Sequence, residues 1–202
     1  MKVIKIDLPK DIEKIELHTF ADEHIGDEHA DLERLKQRIE YVANTPNAYC
    51  VLNGDIIDNA TKTSIGDVYA NEFNPMQQLE EAVRLFKPLK DKILAITHGN
   101  HEARTYRKEG IDLSYLLAVQ LGLFEKYTPT SALIFLRFGK SRNHGGESKQ
   151  CYTIFMLHGS GGGRKEGAKA IRLAEAQEFK PSSKTSPIIY LSGTKKEMSA
   201  RL

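Results

Sequence analysis

Residues 92–102 read Lys92-Ile93-Leu94-Ala95-Ile96-Thr97-His98-Gly99-Asn100-His101-Glu102. The first six form an apolar run of strand length, and a glycine, an amide, an imidazole and a carboxylate close the stretch. A short apolar run bounded by a turn signal predicts a buried strand, which puts the polar groups at its C-terminal end. The same design recurs three more times. Residues 14–21 alternate like a strand and lead into Asp22-Glu23-His24-Ile25-Gly26. Residues 48–53 lead into Asn53-Gly54-Asp55-Ile56-Ile57-Asp58, and residues 151–157 into His158-Gly159.

Helices are predicted between these strands. Leu32, Leu35, Ile39 and Val42 repeat at helical intervals over 31–43. A second helix, 75–90, opens with Pro75, and a third over about 112–121 ends at Gly122. Residues 131–138 and 151–157 flank a polar, glycine-containing stretch and predict a hairpin with a long turn. A helix near 166–179 and a last strand at 188–191 follow. This order predicts a mixed α/β sandwich, with residues 1–202 forming one domain. Loops leaving parallel strands at their C-terminal ends share one rim where ligands collect. The four motifs are expected to meet there.

Composition narrows the class. With 40% hydrophobic and 28% charged residues, the chain has an ordinary soluble balance. No apolar stretch is long enough to span a membrane, and the N-terminus lacks the apolar region of a signal peptide. Cys50 and Cys151, each inside an apolar run, read as buried free thiols, and a cytoplasmic location is expected. Residues 1–136 hold 16 Lys and Arg against 22 Asp and Glu, whereas residues 137–202 hold 13 against 5. The basic third suits a polyanion such as nucleic acid; the competing reading is a mixed solvated surface.

The motifs supply carboxylate, imidazole and amide groups, which suit hard-to-borderline divalent metals. On a strand, residues i and i+2 point to the same side, so Asp22 and His24 are expected to reach one metal. Gly54 allows close backbone approach, and the Asp55 carboxylate can bridge two cations. Asp58 either orients a ligand or caps the next turn. Asn100 offers a neutral carbonyl oxygen, and His101 has a pKa suited to proton transfer. Glu102 is expected to orient His101, Arg104 to contact phosphate, and His98 to be a bystander. The glycine-rich run 159–163 is not a P-loop. The long stretch 59–75 is expected to border a substrate cleft through Tyr69 or Phe73.

In order and spacing these motifs resemble the calcineurin-like metallophosphoesterase superfamily. Asp22-x-His24, Gly54-Asp55-x-x-Asp58, Gly99-Asn100-His101-Glu102 and His158 follow one another, with separations of 33, 45 and 58 residues between Asp22, Asp55, Asn100 and His158. The resemblance runs from about residue 14 to 193. It implies a four-layer αββα sandwich and two divalent ions, manganese first, with iron, zinc, nickel or magnesium as alternatives. One ion would take Asp22, His24 and Asp55; the other would share Asp55 and add Asn100 and His158. His101 would protonate the leaving oxygen or stabilise the transition state. Asn100 and Arg104 would contact substrate, with Asp58 and Glu102 behind them. A hydroxide bridging the ions would hydrolyse a phosphomonoester or phosphodiester, nucleic acid among them.

The family closes its site with Gly-His-x-His after a further strand. Here the matching place reads Tyr190-Leu191-Ser192-Gly193-Thr194-Lys195-Lys196, and no histidine follows His158. The expected sandwich is therefore C-terminally incomplete. The alternative expectation is a degenerate member with weak metal binding and little catalysis, acting as a binding or scaffold protein. A nucleic-acid-binding module without catalysis has no motif to support it.

Overall fold

A computed structural model describes residues 1–60, 73–141 and 148–159, and the backbone of 188–192 and 199–201. Nine strands and four helices follow in order: β1 (Lys2–Asp7), β2 (Glu16–Phe20), α1 (Leu32–Asn44), β3 (Ala48–Asn53), α2 (Pro75–Phe86), β4 (Ile93–Thr97), α3 (Glu102–Glu109), α4 (Leu113–Gln120), β5 (Tyr127–Thr128), β6 (Ser131–Lys140), β7 (Lys149–Leu157), β8 (Ile188–Ser192) and β9 (Ser199–Arg201). They form a mixed α/β fold with two sheets. One sheet has the order β5-β4-β3-β2-β9, the other β1-β6-β7-β8.

In the five-stranded sheet β2, β3, β4 and β5 are parallel, and β9 pairs antiparallel at the β2 edge. Parallel neighbours need crossovers, and helices supply them. Such a sheet is covered on both faces, so its strands read as continuous apolar runs. Cys50 and Leu52 of β3 pack toward the helices with Phe20, Leu35, Ile39 and Phe86. Val51, between them, packs toward the other sheet with Leu17, Leu94, Ile134 and Met156. The four-stranded sheet joins β1 to β6 in parallel, β6 to β7 as the expected antiparallel hairpin, and β7 to β8 in parallel. The described residues thus stack helices, sheet and sheet, as in a metallophosphoesterase sandwich. The expected helix near 166–179 lies outside the described residues.

Local chemistry sets the helix ends. Asp31 caps α1 by accepting from the Arg34 N–H at 3.0 Å, and Asn74 forms a capping box with Gln77 before Pro75 at the start of α2. The helix expected over 75–90 stops as an α-helix at Phe86 and tightens into a 3₁₀ turn, Lys87–Leu89. Pro88 has no N–H to continue the ladder. Cys50 is buried, but Cys151 is only half-buried, a correction to the expected pair of buried thiols. Among the described residues no helix is long and apolar enough to cross a membrane.

Candidate functional site

The four motifs sit just past β2, β3, β4 and β7. Beyond the strands the first two loops keep pairing. The Asp22 N–H donates to Gly54 O (3.3 Å), His24 N–H to Asp55 O (3.1 Å), Ile25 N–H to Ile56 O (2.9 Å) and Asp58 N–H to Ile25 O (3.1 Å). This ladder holds Asp22, His24 and Asp55 in the left-handed region, at φ 55°, 48° and 51°. Each such residue costs about 1–3 kcal/mol and persists only where its surroundings over-determine it. The turns after β3 and β4 meet backbone to backbone. A Cβ at Gly99 would lie 2.1 Å from Asp55 N, and one at Gly54 would lie 2.7 Å from Gly99 Cα and from the His158 ring.

Glu102 locks these turns together. Its buried carboxylate accepts from the backbone N–H groups of Asp55 (3.0 Å), Ile56 (2.8 Å), Ile57 (3.2 Å) and Gly99 (3.1 Å). Burial and the neighbouring Asp55 charge push its pKa up, against these donors. Its carboxylate is thus committed to backbone. The groups on the His101 imidazole are Asp58 and Arg104, so the orienting role expected of Glu102 falls to them. Nδ1 of His101 faces Asp58 O at 2.6 Å and Asp58 Oδ1 at 3.1 Å. Arg104 donates to His101 Nε2 at 2.9 Å and to Asp58 O at 3.2 Å. Arg104, the expected phosphate contact, is therefore anchored beside His101.

His158 has the most telling surroundings. Its Nδ1 lies 2.6 Å from Asn53 O, which can only accept, so Nδ1 carries the proton. Nε2 then turns its lone pair toward Asp55 Oδ2 and Asn100 Oδ1, each at 3.2 Å. Apart from a second proton on Nε2, no donor lies among these three atoms. A second proton on Nε2, or a cation, resolves this. Burial pushes the His158 pKa down, but Asp55 and Asn53 outweigh it and raise it to about 9. Asp55 is shifted the other way. Burial raises its pKa, while His158 and the His101 N–H, which donates to Oδ1 at 2.8 Å, bring it down. The donor set therefore fits a divalent cation, and the site runs from buried Asp55 and His158 to exposed Asn100.

Two compact groups of ligand atoms, each within 4.8 Å, occur among the described residues: Asp22 with Asp55 and His158, and His24 with Asp58 and His101. This partition differs from the expected one. β2 ends at Phe20, and the left-handed backbone of Asp22 and His24 breaks the strand rule that put them on one side. The His24 and His101 rings lie 4.3 Å apart, and His24 Nδ1 is buried without a hydrogen-bond partner. Burial and the nearby His101 push the His24 pKa down, leaving a neutral imidazole ready for a cation. For His101, burial lowers the pKa and Asp58 and Asp55 raise it, with a net rise.

Asn53 and Thr97 were not among the expected site residues. Asn53 supplies the carbonyl that fixes His158, and the Thr97 hydroxyl donates to Asn53 Oδ1 at 2.9 Å. Polar side chains at the buried ends of apolar strands were the available signal. A cavity of about 270 Å³ opens beside Asp22 and His24, lined also by Glu23, Asp31, Arg34 and Arg38. His98 packs edge-on against Tyr106, with ring centroids 6.0 Å apart. Phe73 is half-buried; Tyr69 and residues 193–198 lie outside the described residues.

A family model described as calcineurin-like phosphoesterase matches residues 24–189. No curated protein matches the chain.

Proposed function

The chain belongs to the calcineurin-like phosphoesterase family, and on that premise we propose that it hydrolyses phosphoesters, phosphodiesters first, with divalent ions held by Asp22, His24, Asp55, Asn100 and His158. The observation that carries this is the convergence of Asp55 Oδ2 and Asn100 Oδ1, each 3.2 Å from His158 Nε2, where a cation can take the place of the second Nε2 proton. Manganese is the first candidate, since the set mixes carboxylate, amide and imidazole. When bound, the ions polarise the phosphoryl oxygens and activate water for attack.

The chain's own residues do the rest. His101 keeps its Nδ1 proton against Asp58 O, so Nε2 is the atom that serves the leaving oxygen, once Arg104 has turned from it to the phosphoryl group and it carries a proton. The Arg104 guanidinium, 2.9 Å from Nε2, brings a fixed positive charge to the edge where a phosphoryl group would sit. The cavity beside Asp22 and His24 accommodates the part of the substrate beyond the reacting phosphorus. Nucleic acid is the substrate class favoured by the 13-to-5 basic excess after residue 136. We place this activity in the cytoplasm.

Hydrolysis of bis(p-nitrophenyl) phosphate by the full chain with Mn²⁺, Fe²⁺, Zn²⁺, Ni²⁺ or Mg²⁺ tests the proposal. Turnover with at least one ion, lost in Asp55→Asn, is expected; no turnover with any of them contradicts it. The sequence Ser192-Gly193-Thr194-Lys195, without imidazoles, favours a second reading: a degenerate member that binds metal weakly. Ion binding without hydrolysis would select that reading.

A further inference from the structure

We propose that Asn59 is a positioning residue for His101: its side-chain amide holds the turn after β4 against the turn after β3, Thr105 fixes that amide, and Gln78 holds the Asn59 backbone N–H. This rests on the phosphoesterase reading of His101. Asn59 is fully buried and is the fourth left-handed non-glycine residue among those described, at φ 47°. Asparagine is one of the few side chains that tolerate this conformation.

Its backbone N–H and both ends of its amide each have a partner of fixed sense. The Asn59 N–H donates to Gln78 Oε1 at 2.8 Å. Nδ2 donates to His101 O at 2.7 Å, and the Thr105 hydroxyl donates to Oδ1 at 2.9 Å. A carbonyl oxygen can only accept, so Nδ2 must face His101; Oδ1 must then face Thr105, whose hydroxyl must donate. The amide orientation is thereby determined without ambiguity. Gln78, itself fully buried, donates from Nε2 to Phe73 O at 2.9 Å. Its side chain also fills the space that a Cβ at Gly26 would enter, at 2.5 Å. One connected path thus runs from α2 through Asn59 to the first turn of α3.

The path ends on the peptide that carries the proposed acid. The His101 N–H is held by Asp55 Oδ1 at 2.8 Å, its carbonyl by Asn59 and its ring by Asp58. Without the Asn59 amide this peptide loses its tie to the turn after β3, so His101 Nε2 is placed less tightly against the leaving oxygen. The Arg104 N–H also donates to His101 O, at 3.1 Å, so the carbonyl keeps a partner when the amide is removed. The cost therefore falls on geometry more than on stability. Both ends of the Asn59 amide are taken, Nδ2 by His101 O and Oδ1 by the Thr105 hydroxyl.

The test uses Asn59→Gly, which keeps the left-handed backbone and its N–H and removes only the amide. Thr105→Ala removes the donor that fixes the amide, and Thr105→Ser restores it. In the Mn²⁺-loaded full chain, kcat on bis(p-nitrophenyl) phosphate is expected to fall about tenfold to a hundredfold in Asn59→Gly, the scale of a 1 Å misplacement. KM and bound manganese stay within about twofold of the parent, and Thr105→Ser recovers most of the loss seen in Thr105→Ala. The Hε1–Cε1 NMR signal of His101 shifts or broadens in Asn59→Gly, while those of His29 and His98 stay. Unchanged kcat with an unmoved His101 signal overturns the proposal. So does a fall in kcat accompanied by loss of metal and movement of every histidine signal, because that marks general structural damage. If the parent protein hydrolyses nothing, the phosphoesterase reading fails, and the NMR comparison alone decides the role of Asn59. If Asn59→Gly does not fold, the Thr105 pair decides by the same two readouts.

Discussion

His98 and His101 stand on the same turn and belong to polar clusters of opposite character. Beside His98, the Asp112 carboxylate accepts from the Tyr127 hydroxyl and, at 2.9 Å, from the Tyr115 N–H, with His98 Nδ1 3.5 Å away. Two donors there meet the Asp112 carboxylate, while His98 Nδ1 is buried without a hydrogen-bond partner. Beside His101, Asp55 Oδ2 and Asn100 Oδ1 each lie 3.2 Å from His158 Nε2. Residue type does not separate the two clusters, since each contains histidine and aspartate. The company of the aspartate does: a hydroxyl and a backbone N–H serve Asp112, whereas Asp55 Oδ2 and Asn100 Oδ1 converge on His158 Nε2, a meeting that a cation can share.

The largest separation is expected in turnover. His101→Ala lowers it about 10²–10⁴-fold, the usual worth of a positioned general acid, a far larger loss than any in metal content. His98→Ala leaves turnover near that of the parent. Steady-state kinetics alongside metal analysis checks both, and equal losses would erase the contrast.

Next in size is metal affinity. Thr194→His together with Lys196→His rebuilds the Gly-His-x-His pattern after β8. The pair is expected to tighten Mn²⁺ binding by about tenfold or more, the scale on which even groups behind the ligands act. Calorimetric titration reads this, and unchanged affinity would mean that the last strand does not aim these positions at the site.

The Asp112 cluster is expected to answer in stability. Asp112→Ala leaves the Tyr127 hydroxyl and the Tyr115 N–H without their acceptor, at about 1–3 kcal/mol each where the donor stays buried. Thermal unfolding should show the loss, with metal binding intact. A variant as stable as the parent would show that the cluster holds nothing in place.

The smallest effect is on acid stability. Burial pushes the Asp112 pKa up, but His98, Tyr127 and the Tyr115 N–H outweigh it and lower it on balance. A carboxyl depressed in the fold contributes stability above its unfolded value, about 3.9, and loses it as pH falls through the lower folded value. Asp112→Asn should therefore flatten the acid limb of stability below about pH 4. An unchanged limb in denaturant titrations would assign acid sensitivity elsewhere.

Much of the fold was legible because buried parallel strands carry a plain signal. The run 48–53 is β3 to the residue, since both faces of that strand are covered. α3 was not legible: Glu-Ala-Arg-Thr-Tyr-Arg-Lys-Glu has no apolar period, and the helix is set by Glu102 at its start and left-handed Gly110 at its end. β9 has three residues, too few for any periodicity. In the site, ligand-type residues were legible by their place at strand ends. The grouping of His24 with Asp58 and His101 was not, because it follows from left-handed backbone at Asp22 and His24. The four N–H groups gathered by Glu102 were equally hidden. They come from turns more than 40 residues apart in sequence, brought together by two glycines.

The central claim is that Asp55 anchors a pair of divalent ions. Manganese titration of the metal-free full chain, followed by electron paramagnetic resonance, tests it most directly. The account predicts two ions per chain, an exchange-coupled signal, and loss of that signal in Asp55→Asn. Absence of binding in the parent chain, or a coupled pair that survives Asp55→Asn, would contradict it.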